Sequence, residues 1–138
     1  MKVYATQLDQ GGELFGQQLA TFAVGEGANI VRVAGKTHVN QRSGSELNDS
    51  FESKIQRLGE GLVYVTSITD GLVTVIDPIR LEVLSRIPVG RGAHDIAFML
   101  SEAGELRAYV SLFEEHKLSV IDIQPGSETR FTVIGEIK

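Results

Sequence analysis

Between Leu62 and Asp77 the chain carries two short runs rich in β-branched and aromatic residues, Leu62 to Thr66 and Leu72 to Ile76, with Thr69-Asp70-Gly71 between them. Asp-Gly flanked by such runs is a hairpin signal. Runs of about four to seven residues of the same kind, punctuated by Gly, Asp, Pro and Ser, fill most of the chain and predict about eleven strands of antiparallel sheet. One stretch breaks the pattern. In SGSELNDSFESKIQRLG (43–59), Leu47, Phe51, Ile55 and Leu58 form one stripe of a helix. Ser43 and Glu46 supply a capping box and Gly59 a stop, so one short helix is expected near residues 44–58.

The strand pattern repeats. Val63, Tyr64, Val65, Thr66 return as Ala108, Tyr109, Val110, Ser111, and Val73 to Asp77 return as Leu118 to Asp122, both at an offset of 45. LATFAVGEGAN (19–29) matches LSRIPVGRGAH (84–94) at an offset of 65, and VIGEI (133–137) follows VLSRI (83–87) once five extra turn residues are allowed. Val3 to Thr6 match Val63 to Thr66 at an offset of 60. One unit is laid out as four strands: a (His94 to Leu100), b (Leu106 to Leu112), c (Leu118 to Ile123) and d (Arg130 to Ile137). Four strands at this period predict β-propeller blades in an all-β fold. The expected division is an incomplete blade over 1–28 with strands b, c and d, a blade over 29–90 with a helical insertion at 34–60, and a blade over 91–138. The c strand of the first blade is placed near Glu13 to Gln17.

Composition narrows the partners. Thirteen Lys and Arg against eighteen Asp and Glu give a net charge of -5 with no basic stripe, which argues against nucleic acid. No long apolar window or signal-peptide pattern is present, so no membrane span is expected. The absence of cysteine excludes disulfides and thiolate metal sites and leaves the compartment open.

VYVTSITDGLVTVIDPIRLEVLSRIPVGRGAHDIAF (63–98) resembles the YVTN-repeat family of β-propellers, whose blades carry a Tyr-Val-Thr-Asn strand, a Val-Ile-Asp strand end, an Ile-Pro-Val-Gly strand and then Gly-x-x-Pro-His-Gly-Ile-Ala. The likeness covers residues 61–138 well and 1–33 loosely. Ser67 stands where the motif has Asn, and Ala93 and Asp95 replace the Pro and second Gly around His94. The resemblance implies a periplasmic or extracellular protein. It also implies a ring of four to eight blades, of which this chain supplies about two and a half. A face of four five-residue strands covers roughly 320 Å² and is worth up to ~8 kcal/mol if wholly apolar. The expectation is therefore a fragment of a longer propeller, or a chain completed by other copies.

Chemistry is sparse. His94 follows the Gly90-Arg91-Gly92 turn at the entry to strand a, and Asn29 holds the matching place 65 residues earlier. In a propeller this turn borders the channel mouth, so His94, Asp95, Arg91 and Asn29 are the candidate binding residues. A lone His without convergent partners reads more readily as a side chain that fixes the turn. Asp77 and Asp122 each end a c strand and read as turn caps rather than an acid/base pair. Gly25-x-Gly27 and Gly90-x-Gly92 lack the rest of a dinucleotide loop, and His38 and His116 stand alone. No cofactor or metal is expected. The favoured function is a noncatalytic binding or surface scaffold whose partners are the remaining blades or other copies of the chain. The alternative is part of a propeller enzyme of lactonase, quinone-linked dehydrogenase or haem d reductase type, with His94 as a channel ligand.

Overall fold

The computed structural model describes residues 1–6, 17–34 and 46–138. In chain order they form β1 (Lys2–Thr6), β2 (Gln18–Ala23), β3 (Ala28–Val33), α1 (Glu46–Gly59), β4 (Val63–Ser67), β5 (Leu72–Asp77), β6 (Glu82–Pro88), β7 (Ala93–Leu100), β8 (Leu106–Leu112), β9 (Lys117–Asp122) and β10 (Thr132–Ile137). The strands make a central antiparallel sheet β3-β4-β5-β6, a second antiparallel sheet β7-β8-β9-β10, and the pair β1-β2. The fold is thus all-β with a single helix among the described residues.

Strand pairing carries the repeat. Tyr64 lies opposite Val75, and Tyr109 opposite Val120, so the offset of 45 holds in register as well as in sequence. Val83 pairs Ile76 as Val133 pairs Ile121, which puts the extra residues of the last turn between β9 and β10.

The first unit differs from expectation. β1 hydrogen-bonds β2 directly, where strands b and d would be separated by c. Lys2 opposite Ala23 and Val3 opposite Phe22 reproduce Leu72 opposite Pro88 and Val73 opposite Ile87, and both pairs shift register at the same place, after Ala5 and after Val75. The Val24 N–H donates to the Met1 carbonyl at 3.0 Å as the Val89 N–H donates to the Gly71 carbonyl at 2.8 Å. β1 therefore corresponds to β5, a third strand. The Val-Tyr-Ala-Thr likeness to β4 misled because β-branched and aromatic residues suit either strand. The c strand expected at Glu13 to Gln17 falls outside the described residues, apart from Gln17, which is not in a strand.

Packing explains why the strands differ in composition. One face of the central sheet, with Tyr64, Val73, Val75 and Ile87, shares a core with Ile96, Leu106, Ala108, Val110 and Ile121 of the second sheet. The Tyr64 and Phe98 rings meet at 5.1 Å. The opposite face places Val65 and Ile76 against Phe22 and Val24, with Val3, Ala5 and Ala20 packed around them. Because both faces are covered, β4 and β5 are buried along nearly their whole length. β8, covered on one face, alternates buried and half-buried residues with the period of a strand. Each fully buried valine of β4 and β5 contributes about 1.5–3 kcal/mol.

Helix α1 lies between β3 and β4 and packs Ile55 and Leu58 on the core, as the stripe predicts. Ser43 and the side chains of Leu47 and Phe51 fall outside the described part. Gly59 is not the stop. It is the last helical residue, and the left-handed reversal falls on Glu60 (φ 55°) and Gly61 (φ 69°). Gly59 is needed for closeness, since a Cβ there would sit 2.7 Å from that of Ala34. Among the described residues no helix is long and apolar enough to cross a membrane.

Candidate functional site

The two glycine turns that enter β3 and β7 are built alike. Gly27 (φ 73°) and Gly92 (φ 78°) occupy the left-handed region, where glycine carries no Cβ penalty. The Ile68 N–H donates to the Gly27 carbonyl at 2.9 Å, and the Phe113 N–H to the Gly92 carbonyl at 3.1 Å. An acid then latches each turn. Asp70 Oδ2 accepts the Glu26 N–H at 2.8 Å, and Glu115 Oε1 accepts the Arg91 N–H at 2.8 Å. The Arg91 N–H, then Lys117 beside it, hold the Glu115 carboxyl below the usual range. Hydrogen bonds to Glu136 and then to Glu115 raise the Lys117 ammonium in turn. Asp70 and Glu115 lie 45 residues apart, so the repeat offset was the signal that could have found this latch.

The four candidate residues do not form one cluster. His94 is exposed, its ring edge-on to Phe113 at 6.4 Å. What the neighbouring sheet holds is the His94 main-chain carbonyl, which accepts the Thr66 hydroxyl at 2.6 Å and the Asn29 side-chain amide at 3.5 Å. Asp95 faces Arg32 of β3 at 3.3 Å, and Arg91 faces Glu115 at 3.9 Å. Asn29 and His94 meet. Arg91 and Asp95 are drawn to separate partners, because the register shift between Ala93 and Ile96 lets Asp95 reach the central sheet.

Thr66 is the residue that sequence reasoning missed. Its hydroxyl also accepts the Ile30 N–H at 3.2 Å, so one buried oxygen closes the register shift in β3 and ties the two sheets together. Ser111 repeats half of this. Its hydroxyl accepts the Asp95 N–H at 3.1 Å, but its own proton reaches only the Asp95 carbonyl of the same sheet, at 3.5 Å.

The remaining titratable candidates serve turns. Asp77 Oδ1 accepts the Arg80 and Ile79 N–H groups, and the Arg80 N–H above all keeps its pKa low. Asp122 is buried, which works to raise its pKa, but the Ser127 and Thr129 hydroxyls and the Gln124 N–H outweigh burial and leave it lowered. Burial pushes the Tyr64 phenol up. His116 sits at φ 53° in the β8-β9 turn, and His38 lies outside the described residues. No cluster of three metal-ligating side chains occurs among the described residues.

Compared with known proteins, the chain matches no family model and no curated protein. The outer face of the second sheet carries Tyr109, Ser111, Leu118 and Ile137, half-buried or exposed, around Val120, which is buried at 7%. Two shallow grooves cross it, of about 360 Å³ beside Ser111, Leu118 and Ile137 and about 210 Å³ beside Ala97, Tyr109 and Leu118. Ile137 is 48% exposed there, whereas Ile87, its counterpart in the central sheet, is 2% exposed.

Proposed function

We propose that the chain is a noncatalytic stretch of a YVTN-type β-propeller, two blades and the outer half of a third, serving as a binding or surface scaffold. The observation that carries this reading is the recurrence of one unit at three levels: strand register, latched entry turn and face-to-face burial of one sheet on the next. Stacked repeats of this kind gain their stability from nearest-neighbour faces. The enzyme alternative, with His94 as a channel ligand, rests on the His94 ring alone, since Asp95 faces Arg32 and Arg91 faces Glu115.

Ring closure is the test. Lys138 holds the place of Pro88, so residues 89–138 can be appended in register after it. Chains extended by successive copies should close into a ring of about four to eight blades, visible by electron microscopy. An open stack that lengthens with every added copy would refute the propeller reading.

A further inference from the structure

The repeat is interrupted in two places, and the two interruptions touch. The connection from β3 to β4 runs over 34–62 and carries α1, where the second sheet joins β7 to β8 with 101–105 alone. The turn from β9 to β10 spans 123–131, where the central sheet turns from β5 to β6 over 78–81. Glu82 pairs Asp77 as Thr132 pairs Asp122, so Arg130 and Phe131 hold the places of Arg80 and Leu81. Leu81 (φ 56°) and Phe131 (φ 64°) share the left-handed region. We infer that α1 and the lengthened turn form a mated clamp, an ion pair set on an aromatic ring, which fixes the second sheet on the central one at the end of the seam away from the His94 turn.

Three contacts make the clamp. Arg130 donates to Glu60 Oε1 at 2.9 Å across 70 residues of chain. Its guanidinium also lies 4.5 Å over the Phe131 ring, and Phe131 packs on the shared core together with Leu58 of the helix. Lys54 Nζ reaches the β7-β8 turn so closely that a Cβ on Gly104 would sit 2.7 Å from it. The helix therefore belongs to the central sheet in sequence and touches β7 and β8 of the second. The shorter turn shows what the clamp adds. Arg80 is 75% exposed and faces Asp77 of its own turn at 3.9 Å, whereas Arg130 is 24% exposed. The left-handed side chain is likewise exposed at Leu81 and packed on the core at Phe131. A cation stacked on a ring and partly withdrawn from water is screened less than one on the open surface.

The clamp concerns one seam and holds whether or not a ring closes. Glu60→Gln and Arg130→Gln each remove one of its charges from the full chain, and amide hydrogen exchange reads the result segment by segment. Glu60→Gln should speed exchange across 123–131, and Arg130→Gln should speed exchange across 54–62, each by about two- to fivefold, the range expected of an ion pair at this exposure. The double variant should exceed the larger single effect in neither segment, because the pair opens once. Arg80→Gln, at the same place in the shorter turn, should leave both segments unchanged. Acceleration confined to the segment that carries the substitution would overturn the inference, as would single effects that multiply in the double variant.

Discussion

Replacing Thr66 by Val tests whether one hydroxyl joins the two sheets. Thr66 is fully buried, and valine matches its shape while removing the oxygen. Two main-chain groups then lose a partner, the Ile30 N–H and the His94 carbonyl. A stranded buried group costs about 1–3 kcal/mol. The Asn29 amide also reaches the His94 carbonyl, at 3.5 Å, and softens the second loss. The expected sum is about 2–4 kcal/mol. Thr66→Ser keeps both bonds and removes one methyl, for about 1 kcal/mol. Ser111→Ala leaves only the Asp95 N–H unpaired on a half-open face, for about 1 kcal/mol or less. Urea unfolding reads these differences: with a slope of about 1–3 kcal/mol per molar, Thr66→Val should lower the midpoint by roughly 1 M or more. A Thr66→Val midpoint equal to that of Thr66→Ser would refute the bridging role, as would a Ser111→Ala loss just as large.

Glycine, acid and histidine each give a further check. Gly71 sits at φ 64° with space for a Cβ only 2.5 Å from the Gly90 carbonyl oxygen, so Gly71→Ala should cost about 2–4 kcal/mol in a thermal melt. Gly126→Ala, at φ 80° in open space, should cost about 1–2 kcal/mol. Asp77, Glu115 and Asp122 have folded pKa values below their unfolded ones, so their stabilisation is complete above about pH 5 and is lost as pH falls through the lowered values. Asp122→Asn should flatten the fall of urea midpoint with acid, and an unchanged acid limb would count against the turn network. His94→Leu should alter stability by less than about 0.5 kcal/mol, because the ring is exposed and the carbonyl is what binds; a loss above about 1 kcal/mol would restore a turn-fixing ring.

Legibility in the sequence followed burial. The second sheet could be drawn strand by strand, because Leu106 to Leu112 alternates with period 2 and Leu118 to Ile123 is a β-branched-rich run between clear turns. The helix was legible from Ile55 and Leu58, whose spacing fits one face. β1 was misassigned because four residues of β-branched and aromatic character fix a strand without fixing its rank, and pairing with β2 is a long-range fact. The site was harder. Arg91, His94 and Asp95 are neighbours in the chain, and adjacency suggested a cluster that the turn before β7 and the register shift inside it disperse. Asp70 and Glu115 differ in type, so their equivalence shows only when the offset is applied to polar positions as strictly as to apolar ones.

The link between sheets ends on a carbonyl, and every residue has one. Substitution at position 94 can therefore proceed without loosening the joint. The side chain there is released from structural duty and stands exposed beside the entry turn. A repeat joined through its main chain can be duplicated first and diversified afterwards, each copy presenting a different group at the same spot on an unchanged frame.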